Sequence, residues 1–151
     1  MIKQSFVKNF ALMHQKQSTE SLELLCTFLR TNVFIKMIDL AWNQMTHSQI
    51  KPLLDCLAEN DQLQEINLSH NKLFRPGRDN CGGCEQHVTE CIKSMIIKNQ
   101  QLIHLFLNNC GLSFKILMEV LPYMKFSPSL VAVHLSNNLG ISDETRQDLV
   151  E

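Results

Sequence analysis

The sequence is poor in charged side chains and lacks the segments that send a protein into a membrane or out of the cell. Charged residues make up 19% of its 151 residues, and 14 basic against 15 acidic side chains leave a formal net charge of −1. That balance offers no basic surface to a phosphate backbone or an anionic lipid, so we expect no nucleic-acid and no membrane partner. No apolar run approaches the roughly 18 residues of a membrane span, and the first residues lack the apolar core of a secretory signal. We therefore expect a cytoplasmic protein whose six cysteines are reduced.

The sequence motifs of catalysis are missing as well. The chain contains neither the G-x-S-x-G turn of serine hydrolases nor the H-E-x-x-H pair of zinc proteases. It also has no phosphate-binding loop of the G-x-x-x-x-G-K-[ST] or G-x-G-x-x-G kind. Its carboxylates are scattered, and periodicity places no two of them together in a cleft. We expect no enzymatic activity and no cofactor.

What the sequence does have is internal repetition. The segments that begin at Ile35 and Leu63 both read L-x-x-L-x-L-x-x-N-x-L with aliphatic substitutions, and related segments begin at Leu102, Leu130 and, in degenerate form, Val7. The starts at 7, 35, 63, 102 and 130 are spaced by 28, 28, 39 and 28 residues, so the long spacing is one period plus an insertion of 11. Each strand-like segment is followed by apolar residues at the spacing of one helix face. Strand, turn and helix in every period predict an α/β fold with parallel strands.

The repeat resembles the leucine-rich repeat family in its 28-residue, ribonuclease-inhibitor-like form, which occurs also in tropomodulin, in the Ran GTPase-activating protein and in NOD-like receptors. The resemblance implies a right-handed solenoid of about four to five repeats, with a curved parallel sheet on the concave face and helices on the convex face. It implies a single domain over 1–151, with an insertion loop at 75–86. In the repeat register we expect strands near 36–39, 64–67, 103–106 and 131–134, and helices centred near residues 25, 54, 93 and 119.

Polar residues recur at two fixed positions of the repeat. The asparagine at position 9 can bind backbone groups that the turn leaves unpaired, and Cys110 is a structural alternative at that position. Gln15 replaces it in the first repeat, which predicts a weak or absent strand at residues 8–11. Further asparagines, among them Asn32 and Asn60, lie three residues before a repeat start. We interpret these as left-handed residues that end the helices.

The resemblance also implies a function, since in this fold the variable strand positions face solvent. We expect a protein-interaction module or scaffold that binds a partner protein on its concave face, in a cytoskeletal or axonemal assembly; the alternative is an activator or regulator of a small GTPase. Trp42, the only tryptophan, contacts the partner in this interpretation; the alternative is that it covers the strand edge or packs beneath a loop. The expected contact residues are Met37, Asp39, Trp42, Glu65, Asn67, His70, His104, Phe106 and His134.

The insertion is the one irregular segment, and three interpretations of it differ in their chemistry. It carries the C-x-x-C pair Cys81 and Cys84, followed by His87 and Cys91. Thiolates and imidazoles of this kind bind zinc, although the spacings are tighter than in most zinc knuckles. We favour a plain surface loop without a metal, and the zinc site formed by these four residues is the first alternative. The second is a redox dithiol formed by the C-x-x-C pair, although the thioredoxin-like β-α-β context in which such pairs normally lie is missing.

Overall fold

The structure, a computed structural model, describes residues 9–12, 18–45, 47–74 and 84–139 and, for residues 47–49 and 84, the backbone alone. In these ranges five three-residue strands alternate with helices. The elements in chain order are β1 (Asn9–Ala11), α1 (Thr19–Thr31), β2 (Met37–Asp39), α2 (His47–Glu59), β3 (Glu65–Asn67), α3 (Cys84–Lys98), β4 (His104–Phe106), α4 (Phe114–Val120), a 3₁₀-helix (Leu121–Phe126) and β5 (Ala132–His134). The strands and helices predicted from the repeat register are present, which confirms the α/β class.

The five strands form one sheet in the order β1-β2-β3-β4-β5, and each strand pairs in parallel with the next. Equivalent positions of the repeat stand opposite each other, so that Ile66 is paired with Ile38 on one side and with Leu105 on the other. Parallel neighbours need a crossover connection, and the helices supply it. Positions that recur in the sequence therefore form straight rows across the sheet.

The first strand is formed, and the expectation of a weak or absent strand at residues 8–11 is wrong. β1 is as long as the other strands and pairs with β2 in the same register. Asn43, in the repeat that follows, donates a side-chain hydrogen bond to the backbone carbonyl of Leu12 at the end of β1. Because the carbonyl after a strand is satisfied from the following repeat, β1 does not depend on Gln15, which lies outside the described residues.

A row of buried position-9 side chains joins neighbouring repeats, as the pattern predicts. Asn71 donates to the carbonyl of Leu40 in the preceding repeat at 2.8 Å and to that of Leu68 in its own repeat at 3.0 Å. Asn138 makes the equivalent pair of bonds two repeats later. Cys110 stands in the row between them, and its thiol donates to the carbonyl of Leu68 at 3.3 Å.

A second row of asparagines ends the helices, and its conformation differs from the expectation. Asn32 follows α1 with φ −90° and ψ 120°, which is extended and not left-handed. Its side-chain oxygen accepts hydrogen bonds from the amides of Phe34 and Ile35, both at 2.9 Å. Asn60 and Asn99 accept the equivalent pairs of amides ahead of β3 and β4. The side chain, and not a left-handed backbone, thus turns the chain from helix into strand.

One apolar core lies between the sheet and the helices. The middle residues of β2, β3 and β4 are buried, whereas the residues that flank them are half-buried. The helix residues that close the core include Leu22, Leu29, Leu53, Leu57, Ile92 and Ile96. α3 departs from the apolar pattern at Lys93, whose ammonium group leaves the core to pair with Glu90 at 2.9 Å and Glu119 at 3.4 Å.

The insertion loop does not extend over the whole of the predicted range 75–86. Residues 75–83 lie outside the described part of the chain, but α3 begins at Cys84. The last three residues of the predicted loop are therefore helical. No helix-breaking residue follows Gly83 within α3, and Glu85 in the first turn interacts favourably with the exposed amides there.

Replacement of Asn71 tests the hydrogen bonds between repeats. We expect Asn71→Ala to lower the free energy of unfolding by about 1–3 kcal/mol, because buried carbonyls lose their donor. Asn71→Cys is the matched control, since it places at this position the thiol that Cys110 supplies in the next repeat, and it should cost less than the alanine. Urea denaturation measures both. Equal losses would show that the hydrogen bonds do not carry the stability of this row.

Candidate partner-binding surface

The sheet presents a row of half-buried side chains on the side away from the core. In β2, β3 and β4 the residues on either side of the buried middle position face this side, because successive strand residues alternate. We call this surface the strand face; it comprises Met37, Asp39, Glu65, Asn67, His104, Phe106, Ala132 and His134. The structure brings seven of the nine predicted contact residues together here. The other two, Trp42 and His70, lie in the turns after β2 and β3.

Trp42 and His70 form a stacked pair in those turns. Their ring centroids are 3.7 Å apart and their planes differ by 9°. On the far side of the imidazole, Asn109 lies with its side-chain nitrogen 3.1 Å from His70 Nδ1. The indole remains 46% exposed. The alternative interpretation, that Trp42 packs against a neighbouring turn, is supported by this stack, whereas its contact with a partner stays a prediction.

The turn that carries Trp42 has an unusual backbone conformation. Trp42, His70, Asn109 and Asn137 occupy the same position of successive repeats, and all four have φ between 51° and 62°. Asparagine tolerates this left-handed region, whereas a bulky residue is an outlier there. Holding a non-glycine residue in such a region costs on the order of 1–3 kcal/mol. The left-handed conformation is thus a regular feature of this turn, and Trp42 is the bulkiest of the four residues that adopt it.

A second aromatic group lies across β4 and β5. The Phe106 and His134 rings are stacked with centroids 4.1 Å apart and an angle of 7°. His104 Nδ1 lies 3.3 Å from His134 Nε2. The three side chains form one aromatic cluster, in which the His104 ring is tilted by 26° from Phe106 and by 31° from His134. Such a cluster provides contact area with little loss of side-chain entropy on binding.

Two of the predicted contact residues also have a structural role. Asp39 Oδ1 accepts a hydrogen bond from the amide of Ala41 at 2.9 Å, and Asn67 Oδ1 accepts one from the amide of Ser69 at 3.0 Å. These bonds close the turns that position Trp42 and His70. The sequence register placed both side chains on the exposed face but gave no indication of these bonds.

Two shallow pockets flank the strand face. One, of about 420 Å³, lies at the entry to the strands and is lined in part by Phe34, Met37 and Glu65. The other, of about 360 Å³, lies at the turns and is lined in part by Trp42 and His70. Each pocket has room for a side chain, and both open beside the strand face.

Of the four residues in the zinc alternative, the structure describes the side chains of two. His87 and Cys91 are neighbours on α3, whereas Cys81 and the side chain of Cys84 lie outside the described part of the chain. His87 Nε2 is 2.9 Å from Asp55 Oδ1 of α2, and Cys91 Sγ is 3.5 Å from the same oxygen. Sequence reasoning missed Asp55, because it belongs to another repeat and to no motif.

The pKa values of the Cys91 thiol and the Asp55 carboxyl are shifted in opposite directions. Burial raises the pKa of the Cys91 thiol to about 12, and the charge of Asp55 adds to the effect. Burial also disfavours the Asp55 carboxylate, but hydrogen bonds from His87 and Lys51 outweigh burial and hold the pKa of Asp55 below its ordinary value. At neutral pH Asp55 is therefore ionised, while Cys91 keeps its proton.

None of the helices in the described ranges is both long enough and apolar enough to cross a bilayer.

No protein-family model matches the chain, and neither does the sequence of any curated protein. Solved structures do match it. The C-terminal domain of tropomodulin from Caenorhabditis elegans superposes with a TM-score of 0.73 at 16% identity, over 97% of this chain and 82% of that one. Actin-binding site 2 of leiomodin-1 superposes with a TM-score of 0.61 at 18% identity, over 93% of this chain and 78% of that one. At the level of the fold, the likeness to tropomodulin expected from the repeat pattern is confirmed.

Proposed function

We infer that this chain is a non-catalytic, cytoplasmic protein-binding module associated with the cytoskeleton, and that its partner is actin. In this proposal it is a right-handed leucine-rich-repeat solenoid of the 28-residue type, formed as a single domain of five repeats. The strand face and the turns after β2 and β3 form the contact surface. Its rigid aromatic groups bind with little ordering cost, because the strands and turns already hold them in place.

The observation that carries the proposal is Trp42. A half-exposed indole at φ 62° combines backbone strain with an aromatic surface that the fold does not bury. Exposed tryptophan is enriched among the residues that dominate binding energy in protein interfaces. Phe106 and Met37 extend the same surface along the strands, so the contact area is continuous and not a single side chain.

The repeat type and the partner have separate support. For the repeat type, three of the four spacings between strand starts are 28 residues and the fourth, which contains the insertion, is 39, and position 9 carries the buried side chains that join neighbouring strands. For the partner, the fold is shared with a segment of leiomodin-1 that is itself an actin-binding site. The absence of catalytic motifs in the sequence favours binding over chemistry.

Equilibrium binding to actin tests the proposal. We expect the chain to co-sediment saturably with filamentous actin or to raise the fluorescence anisotropy of labelled monomeric actin. Because the proposed binding energy comes mainly from Trp42 and Phe106 and the net charge is only −1, the affinity should change little between low and moderate salt, whereas adsorption by charge alone is screened. A folded chain that binds neither form of actin would refute actin as the partner.

A further inference from the structure

The helix side of the molecule carries a cluster of metal-binding side chains that the proposed protein-binding function does not use. Asp55 projects from α2 toward α3, where His87 and Cys91 lie four residues apart and therefore on one face of the helix. The three side chains belong to neighbouring helices that pack closely against each other. The cluster is separate from the strand face, so the two surfaces can be tested independently.

The two sulfur distances among the three ligand atoms agree with one face of a zinc tetrahedron, and the oxygen–nitrogen pair needs to open by about 0.4 Å to admit the ion. Asp55 Oδ1 and His87 Nε2 are 2.9 Å apart, and Cys91 Sγ is 3.5 Å from each of them. Ordinary zinc bond lengths in a tetrahedron place the oxygen and nitrogen about 3.3 Å apart and the sulfur about 3.5 Å from both. We propose that Asp55, His87 and Cys91 bind a zinc ion between α2 and α3. This ligand set replaces the insertion thiols of the sequence-based alternative with a carboxylate.

Charge and orientation in the cluster suit a divalent cation. An ionised Asp55 and a Cys91 thiolate together cancel the two positive charges of zinc, and the imidazole binds as a neutral ligand. Lys51 pairs with the other carboxylate oxygen of Asp55 at 3.2 Å, which orients Oδ1 toward the other two ligands in the way that outer-sphere partners do. Asp55 and His87 are 44% and 24% exposed, so an ion can enter from solvent.

Zinc binding in this site releases a proton. Without metal the thiol of Cys91 is protonated, and on binding its S–H bond is replaced by a sulfur–zinc bond while the proton passes to solvent. As a ligand, His87 binds zinc through the lone pair of Nε2, so its ring proton is carried by the other nitrogen. The affinity for zinc should therefore rise with pH.

Cobalt substitution tests the site without any assay of function. Titration of the metal-free chain with Co²⁺ should produce one equivalent of thiolate-to-cobalt charge-transfer absorption. The intense d–d bands of four-coordination should accompany it, with water as the fourth ligand, and Zn²⁺ should displace the cobalt. Cys91→Ser should abolish the charge-transfer band. Asp55→Asn should weaken zinc binding by more than the roughly 10–100-fold that the loss of an outer-sphere partner costs.

Two controls distinguish the loss of a metal ligand from the loss of the folded structure. Cys110→Asn removes a buried thiol elsewhere, restores the residue common at that position and should leave the cobalt spectrum unchanged. Circular dichroism of each variant establishes that the helices are intact. The proposal is overturned if the folded chain binds no cobalt or zinc. It is equally overturned if the charge-transfer band survives Cys91→Ser and disappears in a Cys81→Ser, Cys84→Ser variant.

Discussion

Leu68→Ala should be the most damaging single truncation among those considered, with a loss of about 2–5 kcal/mol in the free energy of unfolding. Leu68 is fully buried directly after β3, at the centre of the sheet. Its removal leaves a cavity that the strands on either side cannot close, because hydrogen bonds to both neighbours hold them in place. Thermal and urea denaturation measure the effect.

Gln64→Ala is the matched control for this truncation. Gln64 lies four residues earlier, and its side chain is only half-buried. Its contribution to the fold comes from its backbone carbonyl, which accepts the amides of Ile103 and His104 and which the substitution leaves in place. We expect a change within about 0.5 kcal/mol. Equal losses for the two variants would mean that the inward and outward positions of the repeat are assigned wrongly.

Trp42→Asn should separate binding from folding. Asparagine occupies the same turn position in the two last repeats, as Asn109 and Asn137, and accepts the left-handed backbone without the strain that tryptophan incurs. The relief of that strain offsets the lost stack on His70, worth about 0.5–1.5 kcal/mol, so stability should change little. Loss of a dominant interface tryptophan typically costs at least about 2 kcal/mol of binding energy, which weakens the affinity for actin about 30-fold.

Phe126→Asn is the matched control for the binding experiment. Phe126 is another exposed aromatic residue, 72% accessible, but it ends the 3₁₀-helix and lies away from the strand face. It should leave the affinity for actin within a factor of about two, since isolated surface substitutions rarely change binding or stability by more than about 0.5 kcal/mol. If Phe126→Asn weakened binding as much as Trp42→Asn, the strand face would not be the contact surface.

The sequence predicted the fold well because the repeat ties each residue to a place in the sheet. Aliphatic residues at the inward positions, such as Ile38 and Ile66, can be buried in only one register, and that register fixes the parallel pairing of their strands. The same logic predicted the exposed face. It predicted the buried row of Asn71 and Cys110 as well, because position 9 is fixed relative to the strand.

The structural features that we did not predict from the sequence depend on contacts that form only in the folded chain. β1 is stabilised by Asn43 of the next repeat, and this bond cannot be read from the degenerate first repeat. Asn32 proved extended because its side chain can accept two amides, an option that a backbone preference alone does not reveal. Asp55 lies beside His87 because α2 packs against α3, and this packing cannot be read from the sequence. Because the insertion lies between β3 and α3, the 28-residue spacing of the repeat does not relate Asp55 to His87.

The most direct test of the proposed binding surface is hydroxyl-radical footprinting of the chain alone and bound to actin. Met37, Trp42 and Phe106 all react readily and all lie on or beside the strand face, while Met118, on α4 and 45% exposed, reports on the helix side. The account predicts that actin slows oxidation of the first three and leaves Met118 unchanged. Protection of Met118 with unchanged oxidation of Trp42 and Phe106 would contradict it.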